Sequence, residues 1–186
     1  MGVFDKFFGR RKNKSQEPAV NWDEMTPLEE FVKRFTDNGG LFLMAENKED
    51  LHRMLAHILA EEGKERYLVL DSAVEGILRE SSLPYTSARQ PADPGLAFFS
   101  SVLYLIRNTG GLLISANQTG GFSWKKLPPV KVFWATPGQL TDNIHTAMEG
   151  INRHFRQAYP QQIKTHTHFG SEDFPGQKVY LILYYE

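Results

Sequence analysis

The chain has 186 residues, 41% of them hydrophobic and 23% charged, with a formal net charge of −1 and no cysteine. That length and composition suit a soluble globular chain with a sizeable core, and near-neutrality gives the whole molecule no bias toward nucleic acid or membrane. The absence of cysteine excludes disulfides, thiolate metal sites, iron–sulfur ligation by this chain and a cysteine nucleophile.

The charge is uneven along the chain. Residues 1–16 carry Lys6, Arg10, Arg11, Lys12 and Lys14 against Asp5, ahead of a mildly acidic body. Phe4, Phe7 and Phe8 share one side of a short helix beside this cluster. Such a segment can rest on anionic lipid, but one turn of helix buries little, so residues 1–22 read as a flexible basic leader. Residues 23–186 then form the α/β domain. No apolar run reaches the roughly 18 residues that span a bilayer, and the N-terminus lacks the apolar core of a signal peptide. A cytoplasmic location is the expectation.

The first clear element opens at Thr26-Pro27-Leu28-Glu29, a capping box with proline at the first helical position. Leu28, Phe31, Val32 and Phe35 fall on one helical face, and Asn38-Gly39-Gly40 ends the helix. Leu41–Ala45 is a short apolar strand. Asn47 caps a second helix with Leu51, Leu55, Ile58 and Leu59 inward and Gly63 as the stop. Tyr67–Asp71 is the next buried strand, and Asp71-Ser72 opens a third helix reaching about Arg79. Alternation of helix and strand argues for a parallel sheet covered by helices. Asp71, at a strand end, suits a helix cap and also suits holding a hydroxyl in a ligand crevice.

Residues 81–95 read as a connection with an extended piece near Tyr85. Leu96–Ile106 holds a strand or turn followed by a second strand. Next come two Thr-Gly-Gly triplets, Thr109-Gly110-Gly111 and Thr119-Gly120-Gly121, around the apolar run Leu112–Ala116. They suit turns at both ends of a hairpin strand, and equally a loop whose bare backbone N–H groups meet a carboxylate or phosphate. No nucleotide-binding glycine fingerprint is present. Val130–Ala135 forms a strand after Lys126-Leu-Pro-Pro129. Thr136-Pro137-Gly138-Gln139 then repeats the capping-box logic and predicts a helix to about Tyr159, with Leu140, Ile144, Met148, Ile151 and Phe155 inward. A polar strand, Ile163–Phe169, precedes a turn and an apolar last strand, Val179–Tyr185, that belongs deep in a sheet. The fold class is α/β: a three-layer α/β/α sandwich with a mixed, mainly parallel sheet.

His166 and His168 share a strand face, with Glu172 and Asp173 following. A His-x-His pair with carboxylates can hold zinc. No second firm ligand set stands nearby, and Lys164, Thr165 and Thr167 mark an exposed polar edge, so no metal is assigned. His145 and His154 lie off the apolar face of their helix. Trp134 reads as core; Trp124 either walls a pocket or covers the sheet. Ser100, Ser101 and Ser115 lack the glycine elbow of a serine nucleophile. Basic and aromatic residues are not interleaved as single-stranded nucleic acid requires.

This pattern resembles the LUD domain, the family of lactate-utilization protein C. Leu105-Ile-Arg-Asn-Thr-Gly110 with Gly111–Ser115, then Leu127-Pro-Pro-Val130 with Lys131–Ala135, then the segment from Pro137, stand at its signature blocks. Asn108 stands where the family carries an acidic residue, and Lys131 where it often has histidine. The late Gly-Pro-Ser segment is reduced to Phe169–Phe174. The resemblance implies an isomerase/CoA-transferase-like sheet and a non-redox subunit assisting oxidation of L-lactate to pyruvate. Iron–sulfur partner proteins would carry the electrons, and this chain would bind a small anionic ligand or dock them, with no cofactor of its own. Asn108, Thr109, Gly110, Gly111, Lys125 and Lys126 are the residues it points to. Two further readings stand: a sugar-phosphate isomerase or acyl-CoA transferase using Glu75, Glu172 or Asp173, and an interaction protein with a degenerate site. An amide at Asn108 cannot serve as a base near neutral pH, which weighs against the enzyme. Tyr184-Tyr185 and Leu96–Ile106 leave room for a homodimer.

Overall fold

The computed structural model describes residues 24–172 and 174–185. The expected leader over residues 1–22 and the candidate Asp173 lie outside the described residues.

Helix α1 (Pro27–Asp37) starts as the capping box predicts: Thr26 Oγ1 accepts from Glu29 N, and the Glu29 carboxylate accepts from Thr26 N at 2.8 Å. Strand β1 (Leu41–Ala45), α2 (Lys48–Glu61), β2 (Arg66–Val69), α3 (Ser72–Glu80), β3 (Tyr85–Thr86) and β4 (Leu96–Ser101) follow. The second half adds β5 (Tyr104–Ile106), β6 (Gly111–Ile114), α4 (Ala116–Thr119), β7 (Val130–Ala135), β8 (Leu140–Thr141), α5 (Ile144–His154), β9 (Lys164–His166) and β10 (Lys178–Tyr184).

Six strands form a parallel sheet in the order β1-β10-β7-β4-β2-β3. The last strand therefore sits inside the sheet, as its continuous apolar run requires. Alternate residues serve two cores. Phe98, Phe133, Leu181 and Leu183 face α1, while Phe99, Val132, Tyr180 and Ile182 face α2 and α3. Phe98, Phe99 and Phe133 are fully buried, and each contributes roughly 1.5–3 kcal/mol by leaving water.

The antiparallel pairing of the fold lies in a separate four-stranded sheet, β8-β5-β6-β9. Its inner face, with Leu105, Leu112 and Ile114, packs with α1 onto the main sheet; its outer face, with Ile106 and Leu113, is covered by α5 through Ala147 and Ile151. The helix expected from Pro137 is corrected here. Thr136–Gln139 does form a capping box, but it closes a single 3-10 turn that runs into β8. The helix begins seven residues later, where Asn143 caps Thr146 N, and ends at His154. Its buried residues are Ala147, Gly150 and Ile151, with Met148 and Phe155 partly buried against the same cluster as expected, whereas Ile144 is exposed.

Candidate functional site

The opening between β6 and β9 is built by short elements. Strand β6 ends at Ile114, and Ser115 caps α4 through a second box: Ser115 N and Oγ both donate to Gln118 Oε1 at 2.9 and 2.7 Å. Gly120 (φ 60°) and Gly121 (φ 81°) turn the chain back in left-handed conformations that suit glycine. The chain then enters a 3-10 turn, Trp124–Lys126. Antiparallel pairing of β9 with β6 sets Lys164 opposite Ile114 and His166 opposite Leu112.

Between these segments lies a cavity of about 810 Å³. Its walls include Ser115, Thr119, Trp124, Lys125, Lys164 and His166, with His168 at the same opening. Among the described residues lining it there is no carboxylate. Trp124 forms its floor. The indole stacks on Phe133 at 5.8 Å and 3° on the sheet side, and on the His166 ring at 4.0 Å and 17°. Its Nε1 donates to Gln177 Oε1 at 2.6 Å, which fixes the ring. Of the two sequence readings of Trp124, wall and cover, the indole fulfils both.

Burial, then the nearby Lys164 and Lys131 charges, push the His166 imidazole down to about 4. It is therefore neutral near pH 7, offering one donor and one acceptor. The expectation that His166 and His168 mark only an exposed edge is half met: β9 is an edge strand, yet both histidines line the cavity. Among the described residues no group of three or more His, Asp or Glu gathers to hold a metal.

Lys131 is the residue that reading along the chain undervalued. It occupies an inward position of β7, paired across to Phe98 and Val179, and only 2% of it is exposed. Its Nζ donates to Pro128 O at 2.8 Å and lies 5.0 Å from the Trp124 ring centroid. Burial pushes its ammonium down to about 8. The signal was present in Val130-Lys-Val-Phe133, one cation in an otherwise apolar buried strand.

The six residues singled out from the sequence do not converge. Asn108 and Thr109 line a separate recess of about 440 Å³ with Arg34, Asn38 and Thr167. Lys125 lines the main cavity, and Lys126 is exposed beside it. Strand β6 separates the two groups, roughly 13 Å at its rise per residue. Gly110 and Gly111 serve packing. At φ 64°, a Cβ on Gly110 would sit 2.5 Å from Arg34 C and Phe35 N, and one on Gly111 would sit 2.9 Å from Thr165 Cγ2. Asn38 Nδ2 donates to Thr109 O at 2.8 Å, so the turn is clamped onto α1.

Asp71 takes the cap role read from its position, and its second oxygen is turned to the protein itself. Its Oδ1 accepts from Ala73 N at 3.0 Å as the α3 cap. Its Oδ2 accepts from Ser101 N and Ser101 Oγ at 3.0 and 2.5 Å, so the hydroxyl it holds is the protein's own. Glu75 accepts from Tyr85 Oη at 3.0 Å on the far helix, outside the cavity lining.

No family model matches the chain, and no curated protein matches it. A crystal structure of a DUF162 family protein from Deinococcus radiodurans shares the fold with a TM-score of 0.60 at 15% sequence identity. The match covers 86% of this chain and 96% of that one.

Proposed function

We propose that the chain binds a small anionic ligand in the cavity between β9 and residues 115–125. One observation carries this reading. The described lining presents two lysines and two imidazoles, with hydroxyls from Ser115, Thr119 and Thr167, and no carboxylate. Two ammonium groups without a counter-charge attract an anion, and a partly enclosed wall strengthens the attraction over that in water.

The ligand context proposed is that of the LUD family. DUF162 is another designation of that family, so the structural neighbour supports a LUD-like fold. On this reading the chain is a non-redox, cytoplasmic accessory to oxidation of L-lactate to pyruvate. Iron–sulfur partner proteins carry the electrons, since a chain without cysteine has no thiolate to ligate a cluster.

Isothermal titration with L-lactate, pyruvate and inorganic phosphate tests the proposal. At least one of them binds, and Lys164→Met weakens that binding about tenfold, the loss of one charge-assisted contact. Silence from every anion at millimolar concentration refutes it. Sugar phosphates and acyl-CoA belong in the same series, because tight binding of either, with turnover, would favour the isomerase or transferase reading.

A further inference from the structure

Beside the main cavity lies a smaller one of about 340 Å³. Trp124, Lys125 and Phe174 border both, and Lys131 and Gln177 are among the residues that line only the smaller. We propose that this smaller cavity is a second anion subsite, with Lys131 as its counter-charge, so that the protein's ligand carries two anionic ends. The proposal rests on the reading of the main cavity as an anion site and extends it to a class of ligand.

The argument starts from Lys131. A buried ammonium is retained where a counter-charge or several acceptors meet it, because desolvating a charge costs several kcal/mol. Among the described residues, the Lys131 ammonium meets a single backbone carbonyl, Pro128 O, and the face of Trp124. No carboxylate of the described residues pairs with it. Three N–H donors therefore share one carbonyl acceptor beside a cavity large enough for a carboxylate or phosphate group. A core position of this kind is normally filled by Leu or Met, and Phe133 two residues on shows that the face is apolar.

The second cation is placed to match. Lys125 borders both cavities, and its Nζ lies 5.4 Å from the Phe174 ring centroid. Two ammonium groups, each against an aromatic face, thus flank the smaller cavity. Lys164 and His166 line the main cavity and not the smaller one, and His166 stacks on the Trp124 ring that borders both. A ligand with one anionic group reaches one of these sets. A ligand with two separated anionic groups reaches both, across the shared wall.

Titration calorimetry of the full chain decides this, with acetate as the one-ended probe and malonate, succinate, glutarate and adipate as two-ended probes. In the wild type at least one dicarboxylate binds ten or more times tighter than acetate. In Lys131→Met that ratio falls to about twofold or less. Thermal melting of the variant in anion-free buffer shows an undiminished midpoint, which separates lost binding from lost folding. A dicarboxylate advantage that survives in Lys131→Met overturns the subsite. So does acetate binding as tightly as every dicarboxylate, which leaves the main cavity as a single-anion site. Absence of binding by all five probes overturns the subsite, and the main-cavity reading falls with it only where L-lactate, pyruvate and inorganic phosphate are silent too.

Discussion

Lys131 makes the stability of this protein rise with pH across the alkaline range. Its ammonium has an ordinary value of 10.5 and is lowered by burial to about 8. Between those values the unfolded chain binds more protons at this site than the folded one. Stability must then rise with pH across the window. At about 1.4 kcal/mol per pH unit, the gain from pH 8 to 10 is about 2–3 kcal/mol. For a chain of this length that corresponds to roughly 5–10 °C in thermal midpoint. The window closes near pH 10, because Tyr67 and Tyr180 are pushed up by burial and their contribution is lost above that pH. The assay is urea unfolding followed by circular dichroism at pH 7, 8, 9 and 10, in buffers without small carboxylates or phosphate, for the wild type and Lys131→Met. At pH 7 the variant is the more stable, since methionine fills a similar volume without a buried charge. By pH 10 the difference has shrunk by about 2–3 kcal/mol. A difference that stays level within about 0.5 kcal/mol from pH 7 to 10 refutes the claim that Lys131 is held charged and unpaired in the core.

Other substitutions test other parts of the structure. Gly110→Ala should cost about 2–4 kcal/mol, from a left-handed φ and backbone contact with Arg34 and Phe35, measured by urea midpoint. Gly121→Ala has the same kind of φ but open space around its Cβ, so about 1–2 kcal/mol is expected; equal costs at the two sites would undo the packing explanation. Asp71→Asn replaces an acceptor facing Ser101 N by an amide and should cost about 2–3 kcal/mol, with faster hydrogen exchange at Ser101. His166, lowered from 6.5 to about 4, is neutral when folded, so stability is lost as pH falls through that interval. His166→Gln should flatten this acid limb, and an unchanged limb would assign the loss to other groups.

The fold was legible where local chemistry and tertiary packing agree. Thr26 and Asn47 cap the helices they were expected to cap, and the two buried phenylalanines of β4 point to opposite cores as alternation requires. It was least legible between Leu103 and His166. Strands β5, β8 and β9 have two or three residues, too few for a period of two to show. The capping box at Thr136 is genuine, so the sequence carries a correct helix-start signal that the next residues decline. Leu140 and Thr141 pair with β5 instead, and Asn143 supplies the start that is used. Tertiary pairing there overrides the local propensity.

The candidate site was hidden for a different reason, and the two Thr-Gly-Gly triplets show it. Both suited hairpin turns and, equally, backbone laid against a ligand. The first is backbone laid against α1, where any Cβ would collide, and the second ends the one-turn α4 and swings Trp124 under β9. What the glycines accomplish is therefore placement of an aromatic floor. The groups that meet on that floor, His166 from β9 and Lys131 from β7, lie 35 residues apart in sequence and share no motif. Each reads alone as ordinary: a histidine on a polar edge, a lysine in a strand. Only the fold brings both against the same indole, where the lysine charge helps to keep the imidazole neutral. An anion arriving beside them would relieve both strains at once, offsetting the lysine charges that hold the imidazole down and supplying the buried ammonium with an acceptor. Ligand binding and proton uptake are then expected to be one event, and calorimetry near pH 5.5 in two buffers of different ionisation enthalpy would separate a proton-linked anion from a proton-silent one.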